Sequence, residues 1–200
     1  MFVRKTTFTG LEDVDAAVAF LRDTAIAERR HQRGARGLMA SGNRLDGELE
    51  VMGYWDTDAD LEASQVAVSA IRQEARRGVG GQVSTETMEE VFSESVGPES
   101  VVGRSAVFVQ IDFDPAKIDA VLGFLQSEVV PELTASTGFV AMHGLIDRRA
   151  GRGCMVSIWA DDQALHAACE ITDDRRRRGP IHGVSFGNHA YRTVMLSHLE

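Results

Sequence analysis

The chain carries a copy of itself. A shift of 104 residues superposes Trp55 on Trp159, Asp58 on Asp162, Leu61 on Leu165 and Ala63 on Ala167. Without a gap, the same shift pairs Asp15 with Asp119, Ala16 with Ala120, Phe20 with Phe124, Leu21 with Leu125, Glu28 with Glu132, Gly34 with Gly138, Arg44 with Arg148 and Gly47 with Gly151. Such a duplication constrains the fold more than any other feature of the sequence, because both copies must adopt one order of elements.

That order can be read in each copy. Residues 3–8 alternate as a strand does. Val14, Ala17, Val18, Leu21 and Ala25 then fall on one helical face. Arg30, His31 and Arg33 precede Gly34, a cationic last turn followed by a glycine stop. In the second copy, residues 106–113 form the strand. Asp114 caps the helix, Pro115 takes its first position, and Ile118, Val121, Leu122, Leu125 and Val129 repeat the stripe. Pro131 is expected to kink or end this helix. A hairpin follows in each copy: 35–43 with 49–55 around Asp46-Gly47, and 139–147 with 154–159 near Gly151. Asp56 and Asp58, and in the second copy Asp161 and Asp162, are placed to cap a second helix. Its apolar positions are Leu61, Val68 and Ile71 in one copy and Leu165, Ala168, Cys169 and Thr172 in the other. The final strands are 83–92 and 181–196.

The expected fold is therefore α+β: two ferredoxin-like βαββαβ repeats, residues 1–96 and 105–200, joined by a connector over 97–104 that begins at Gly97-Pro98. A four-stranded sheet with both helices on one face leaves its other face needing cover, and the second copy can supply it. The result is a pseudo-dimeric α/β barrel, either as a monomer or as a homodimer of such chains.

Composition narrows the function classes. A net charge of −9 repels a phosphate backbone, so nucleic acid is not an expected partner. The one basic run, Arg175 to Arg178, reads as a solvated helix end. The N-terminus lacks an apolar signal core and no segment is long enough to span a bilayer, which points to a cytoplasmic protein without a membrane partner. Cys154 and Cys169 lack metal-ligand spacing and read as inert core thiols. His182 and His189 fall seven apart on the expected last strand and would face opposite sides, so no metal is expected.

The recurring pattern is a strand, a helix ending in Gly, a hairpin, and then Tyr54-Trp55-Asp56 or Ile158-Trp159-Ala160 before an Asp-capped helix. It resembles the antibiotic biosynthesis monooxygenase family of the dimeric α/β barrel superfamily, here in tandem over nearly the whole chain. The resemblance implies a pocket in each half between the sheet and its helices. It also implies a small apolar or aromatic ligand and, in some members, oxygenation without metal or flavin. The haem-degrading branch expects an asparagine on the first strand and a histidine on the second helix. Neither first strand has the asparagine, and His166 next to Leu165 is expected to point elsewhere.

Cofactor-free oxygenation needs a dry pocket, a base, and donors that hold the developing charge. His143 is the candidate base, because it lies mid-strand among apolar and small residues where the first copy has Met39; the other reading is a buried histidine bonded to backbone. Trp159 joins it as a candidate catalytic residue, with Trp55, Tyr54, Asn188 and Tyr191 as candidate ligand-binding residues. Packing is the competing role for both tryptophans. Gly183-Val184-Ser185-Phe186-Gly187 matches the nucleophile-elbow pattern, but no aspartate follows it. Gly78-Val79-Gly80-Gly81 lacks the third glycine of a dinucleotide fingerprint. Two functions remain in view: a cofactor-independent monooxygenase with its chemistry in the second half, and a non-catalytic ligand-binding or assembly protein on the same barrel.

Overall fold

A computed structural model describes residues 1–96, 100–170 and 172–199, without the side chains at 76, 79 and 172–174. Gly97-Pro98 of the expected connector and the side chain of Thr172 thus lie outside the described residues. The strands are β1 (Phe2–Thr9), β2 (Ala35–Asn43), β3 (Glu48–Trp55), β4 (Gln82–Ser95), β5 (Ser105–Phe113), β6 (Phe139–Asp147), β7 (Arg152–Trp159) and β8 (Val184–Leu199). Their hydrogen-bonded order is closed, β1-β3-β2-β8-β5-β7-β6-β4. The fold is the expected α+β barrel of two βαββαβ halves with antiparallel pairing.

By internal contacts the residues form two units, Met1–Met88 with Thr193–Glu200, and Glu89–Arg192. In the first, Phe2 of β1 pairs with Trp55 of β3, β2 pairs with β3, and β2 takes the end of β8 from Thr193 to Leu199. In the second, Ser105 of β5 pairs with Trp159 of β7, β6 pairs with β7, and β6 takes the end of β4 from Glu89 to Ser95. The last strand of each half is therefore long enough to serve two ladders.

Helix α1 (Val14–Phe20) begins where the Asp13 carboxylate accepts from the Ala16 N–H at 2.9 Å, and it buries Val14, Ala17 and Val18. A π-helical turn, Leu21–Ala25, leads into α2 (Ile26–Arg29). The second half repeats this with a 3-10 turn at Pro115–Lys117, α5 (Ile118–Phe124), a π turn at Leu125–Val129 and α6 (Val130–Thr134). The two π turns are 104 residues apart, the offset of the sequence repeat. Pro131 lies in the first turn of α6, and the helix ends at Thr134, ahead of Gly138 as expected. The π turn just before Pro131 has already altered the hydrogen-bonding register.

Helices α3 (Asp58–Ala63) and α4 (Gln65–Val79) complete the first half, and α7 (Asp162–Glu170) and α8 (Thr172–His182) the second. The cap of α3 is Thr57 rather than Asp56 or Asp58: its hydroxyl accepts from Asp60 N–H, while Asp56 pairs with Arg36 at 2.7 Å. Asp161 does cap α7, accepting from Ala164 N–H at 2.8 Å. Residues 181–183 are not strand. Pro180 and His182 belong to α8, the His182 ring stacks on Phe124 at 4.4 Å, and β8 starts only at Val184.

The Arg175 to Arg178 run is also not uniformly solvated. Arg175 is buried and donates to Glu132 at 2.9 Å, and Arg178 donates to Glu132 at 2.6 Å and to Glu128. Helix α8 thus packs its arginines on the acidic face of the helix carrying Glu128 and Glu132. Each half has its own apolar core, one around Leu21, Leu38 and Val51, the other around Leu125, Met142 and Met155.

Candidate functional site

Each half holds a cavity between its sheet and its helices, floored by the tryptophan that ends its hairpin. Strand alternation decides which side chains reach it. In the second half these are Val107 and Val109 of β5, Met142 of β6, and Met155, Ser157 and Trp159 of β7. Val129 of the π turn, Leu133, Cys169, Arg175, Phe186 and His189 close it. Its volume is about 40 Å³, above the roughly 10–15 Å³ that one water needs.

The walls are largely apolar and the polar groups few. Trp159 is 1% exposed and donates its indole N–H to Ser157 Oγ at 2.9 Å. Arg175 is neutralised by Glu132 through Nε, but its buried Nη2 has no protein partner. His189 Nε2 lies 3.1 Å from Arg176 Nη2; arginine can only donate, so the imidazole accepts there and is neutral. Burial and the Arg176 charge both push its pKa below the ordinary histidine value. Burial raises the pKa of the Cys169 thiol above the ordinary thiol value, against the nearby charges of Arg175 and Arg176.

The first-half cavity has the same frame and different chemistry. Its wall includes Arg4, Thr6 and Phe8 of β1, Leu38, Gly53 and Trp55, with Leu21 and Ala25 of the π turn and Val68, Ile71, Arg72 and Ala75 of α4. Arg29 and Gln32 complete it, with a volume of about 50 Å³. Because Phe2 and Ser105 occupy equal register positions opposite the two tryptophans, Arg4 stands where the second half has Val107. Arg29 stands where it has Leu133, and Gly53 where it has Ser157.

The Gly53 exchange has a direct consequence. A Cβ at Gly53 would lie 2.3 Å from Arg29 Nη1, so the missing side chain is what lets the guanidinium lie against β3. Arg29 sits over the Trp55 ring at 3.9 Å, with Arg4 at 5.0 Å from the same ring. With no hydroxyl at position 53, the buried Trp55 indole N–H has no acceptor.

The six residues singled out from the sequence do not converge. Trp55 and Trp159 line separate cavities. Tyr54 is buried on the opposite face of β3 from Trp55, its hydroxyl near Met52 Sδ at 3.9 Å. His143 is next to the cavity-lining Met142 and so on the other face of β6, where Nδ1 meets Glu90 Oε1 at 2.7 Å. Neither cavity includes it. Asn188 is exposed, and Tyr191, 42% exposed, packs near the His166 and His189 rings. Arg4, Arg29, Gln32, Arg72, Arg175 and His189 line the cavities and are not among the candidate site residues read from the sequence. The detectable signal was the set of positions where the two copies disagree in charge, Arg29 against Leu133 above all.

Among the described residues no group of three or more His, Cys, Asp or Glu is placed to hold a metal ion, and no helix is long and apolar enough to cross a membrane.

No family model matches the chain. An uncharacterized protein of Mycobacterium tuberculosis is 24% identical over 155 residues, spanning 76% of this chain and 68% of that protein. Among solved structures, an anthrone oxidase-like protein is similar over 99% of this chain and 92% of its own, at TM-score 0.71 and 13% identity. A candidate monooxygenase of Fusobacterium nucleatum matches over 100% and 97%, at TM-score 0.67 and 11% identity. The chain therefore has the fold of the monooxygenase-like dimeric α/β barrel proteins, with both βαββαβ halves supplied by one polypeptide.

Proposed function

We propose that the protein binds a small aromatic molecule in the second-half cavity and oxygenates it without a bound cofactor. The observation that carries this reading is an apolar cavity over Trp159 whose polar groups are almost all donors: the unpaired Nη2 of Arg175 and the neutral imidazole of His189. Since Glu132 balances Arg175, the cavity suits a neutral substrate; the spare donors then stabilise the oxyanion that forms when a carbon acid or phenol loses its proton. An electron-rich anion of this kind reacts directly with dioxygen.

One protein of the same fold is anthrone oxidase-like, and an anthrone has this chemistry. Its methylene carbon loses two hydrogens and gains one oxygen atom, and the other oxygen leaves as water. In this reading His143 and Glu90 form a fixed polar pair of the β4–β6 ladder; the cavity donors stabilise the oxyanion, and the substrate proton passes to solvent water rather than to His143. Each chain has both cavities, so no partner subunit is needed to build them.

The test is oxygen uptake with anthrone, comparing the wild type with His189→Ala and Arg175→Gln. Loss of one such donor lowers the rate by roughly 100-fold. Uptake no faster than in buffer, or unaltered in both variants, would refute the reading. Retention of an aromatic molecule on native mass spectrometry without any uptake would assign ligand binding alone.

A further inference from the structure

The first-half cavity has a charge imbalance that the second lacks. Arg4, Arg29 and Arg72 line it, and no aspartate or glutamate is among the described residues in its wall. Arg4 is 4% exposed and donates to Ser64 Oγ and the Leu61 carbonyl, both at 2.8 Å. Arg29 has one long bond to the Tyr54 carbonyl at 3.3 Å, and its Nε has no partner. Arg72 is bonded to the hydroxyls of Ser69 and Thr85. All these acceptors are neutral. The neighbouring cavity that shares Arg29 adds Arg30 and His198, again with no acid among the described residues.

Burying cations without a counter-charge is costly. Burial, and then the Arg4 charge, push Arg29 down to about 9; burial, and then Arg72, bring Arg4 to about 10. Both guanidiniums still carry their charge at neutral pH. Neutral donors beside them are idle too: the Trp55 indole N–H and the Gln32 Nε2 are buried without partners. Four side chains around one cavity are thus short of the same thing, an acceptor with negative charge. The rest of the wall, Phe8, Leu21, Leu38, Val51, Val68 and Ile71, is apolar.

We propose that this cavity is a binding site for a small anion with an apolar body, an aromatic carboxylate or phenolate, whose charged oxygen is held by Arg29 and Arg4 with Trp55 Nε1–H and Gln32 as further donors. Planar guanidinium matches carboxylate geometry, and a charge-assisted bond in a water-poor site is the strong kind. Gly53 and Ser157 set the difference between the halves. Glycine admits Arg29 and leaves the indole free for the ligand, whereas serine occupies the indole internally. The site is separate from the cavity proposed to carry oxygenation, and each proposal stands if the other fails.

The chain has two tryptophans, so nitrogen-labelled protein gives two indole N–H signals, assigned with Trp55→Phe. Benzoate and its uncharged counterpart benzamide are titrated separately. The expected result is a saturable shift of the Trp55 signal with benzoate, Kd about 1 mM, with benzamide weaker by roughly tenfold or more. The Trp159 indole, held by Ser157, should stay in place. Arg29→Met should weaken benzoate by roughly tenfold, its unmoved Trp159 signal reporting that the fold is kept. If that signal is lost, the wild-type titrations decide alone. The proposal is overturned if benzoate leaves the Trp55 signal unmoved, if benzamide shifts it as strongly, or if both indoles move together.

Discussion

Replacing Glu132 by alanine leaves a buried guanidinium without its carboxylate. Arg175 has a 5% exposed side chain and donates through Nε to Glu132 at 2.9 Å; Arg178 donates to the other oxygen at 2.6 Å and also reaches Glu128. Removing one member of a fully buried pair costs about 3–5 kcal/mol. Glu132 itself is 37% exposed, so water already screens part of the interaction, and Arg178 retains Glu128. The expected loss is therefore about 2 kcal/mol, a fall in Tm of about 4–8 °C for a chain of this size.

The acid dependence provides an internal control. Burial works against the Glu132 carboxylate, but the bonds from Arg175 and Arg178 outweigh it and hold its pKa below the ordinary glutamate value. The stabilisation is then fully present above that ordinary value and is lost as pH falls through the folded-state one. The gap between wild type and Glu132→Ala should be widest near pH 7 and close in acid. Urea unfolding at several pH values measures it. A loss under about 0.5 kcal/mol at neutral pH, or a gap that persists undiminished in acid, would refute the buried-pair account. Glu132→Leu combined with Arg175→Leu should recover most of the loss, because the unpaired charge is gone.

Ser157→Ala removes the hydroxyl that accepts from the Trp159 indole and should cost about 1–2 kcal/mol in urea unfolding; no change would mean that the indole finds water instead. Gly53→Ser should displace Arg29, give the Trp55 indole an internal acceptor and weaken benzoate by roughly tenfold. Because Arg29 is flexible, stability should move by less than about 1 kcal/mol, and undiminished benzoate binding would contradict the role given to Gly53. Gly37 has φ +117°, and a Cβ there would lie 1.9 Å from the His198 carbonyl in the β2–β8 ladder. Gly37→Ala should therefore cost about 2 kcal/mol or more, and a wild-type melting temperature would show that the positive φ and close approach at Gly37 are not required.

Much of the architecture was legible because it rests on local periodicity repeated twice. The apolar stripe Val14, Ala17, Val18, Leu21 and Ala25 is buried at every position, and the first hairpin strand has the expected bounds, Ala35–Asn43. The errors came where two local signals compete. Asp56, Thr57 and Asp58 are all good caps, and only the path of the chain selects Thr57. Four arginines look solvated in a one-dimensional reading, since nothing in the run announces that Glu128 and Glu132 lie opposite, over forty residues away.

The candidate sites were harder to read for the same reason. Tryptophans 55 and 159 stood out, and each floors a cavity. His143 stood out as well, but the one-residue alternation of β6 sends it to the face opposite Met142, toward Glu90. By itself the sequence determined the duplicated βαββαβ plan, because hydrophobic period, caps and turns act over a few residues and leave a local signature. Only the tertiary structure decided which donors meet in each cavity and which remain unpaired. Arg4, Arg29, Gln32 and Trp55 come from distant segments, and whether a buried charge has a partner depends on what folding brings against it.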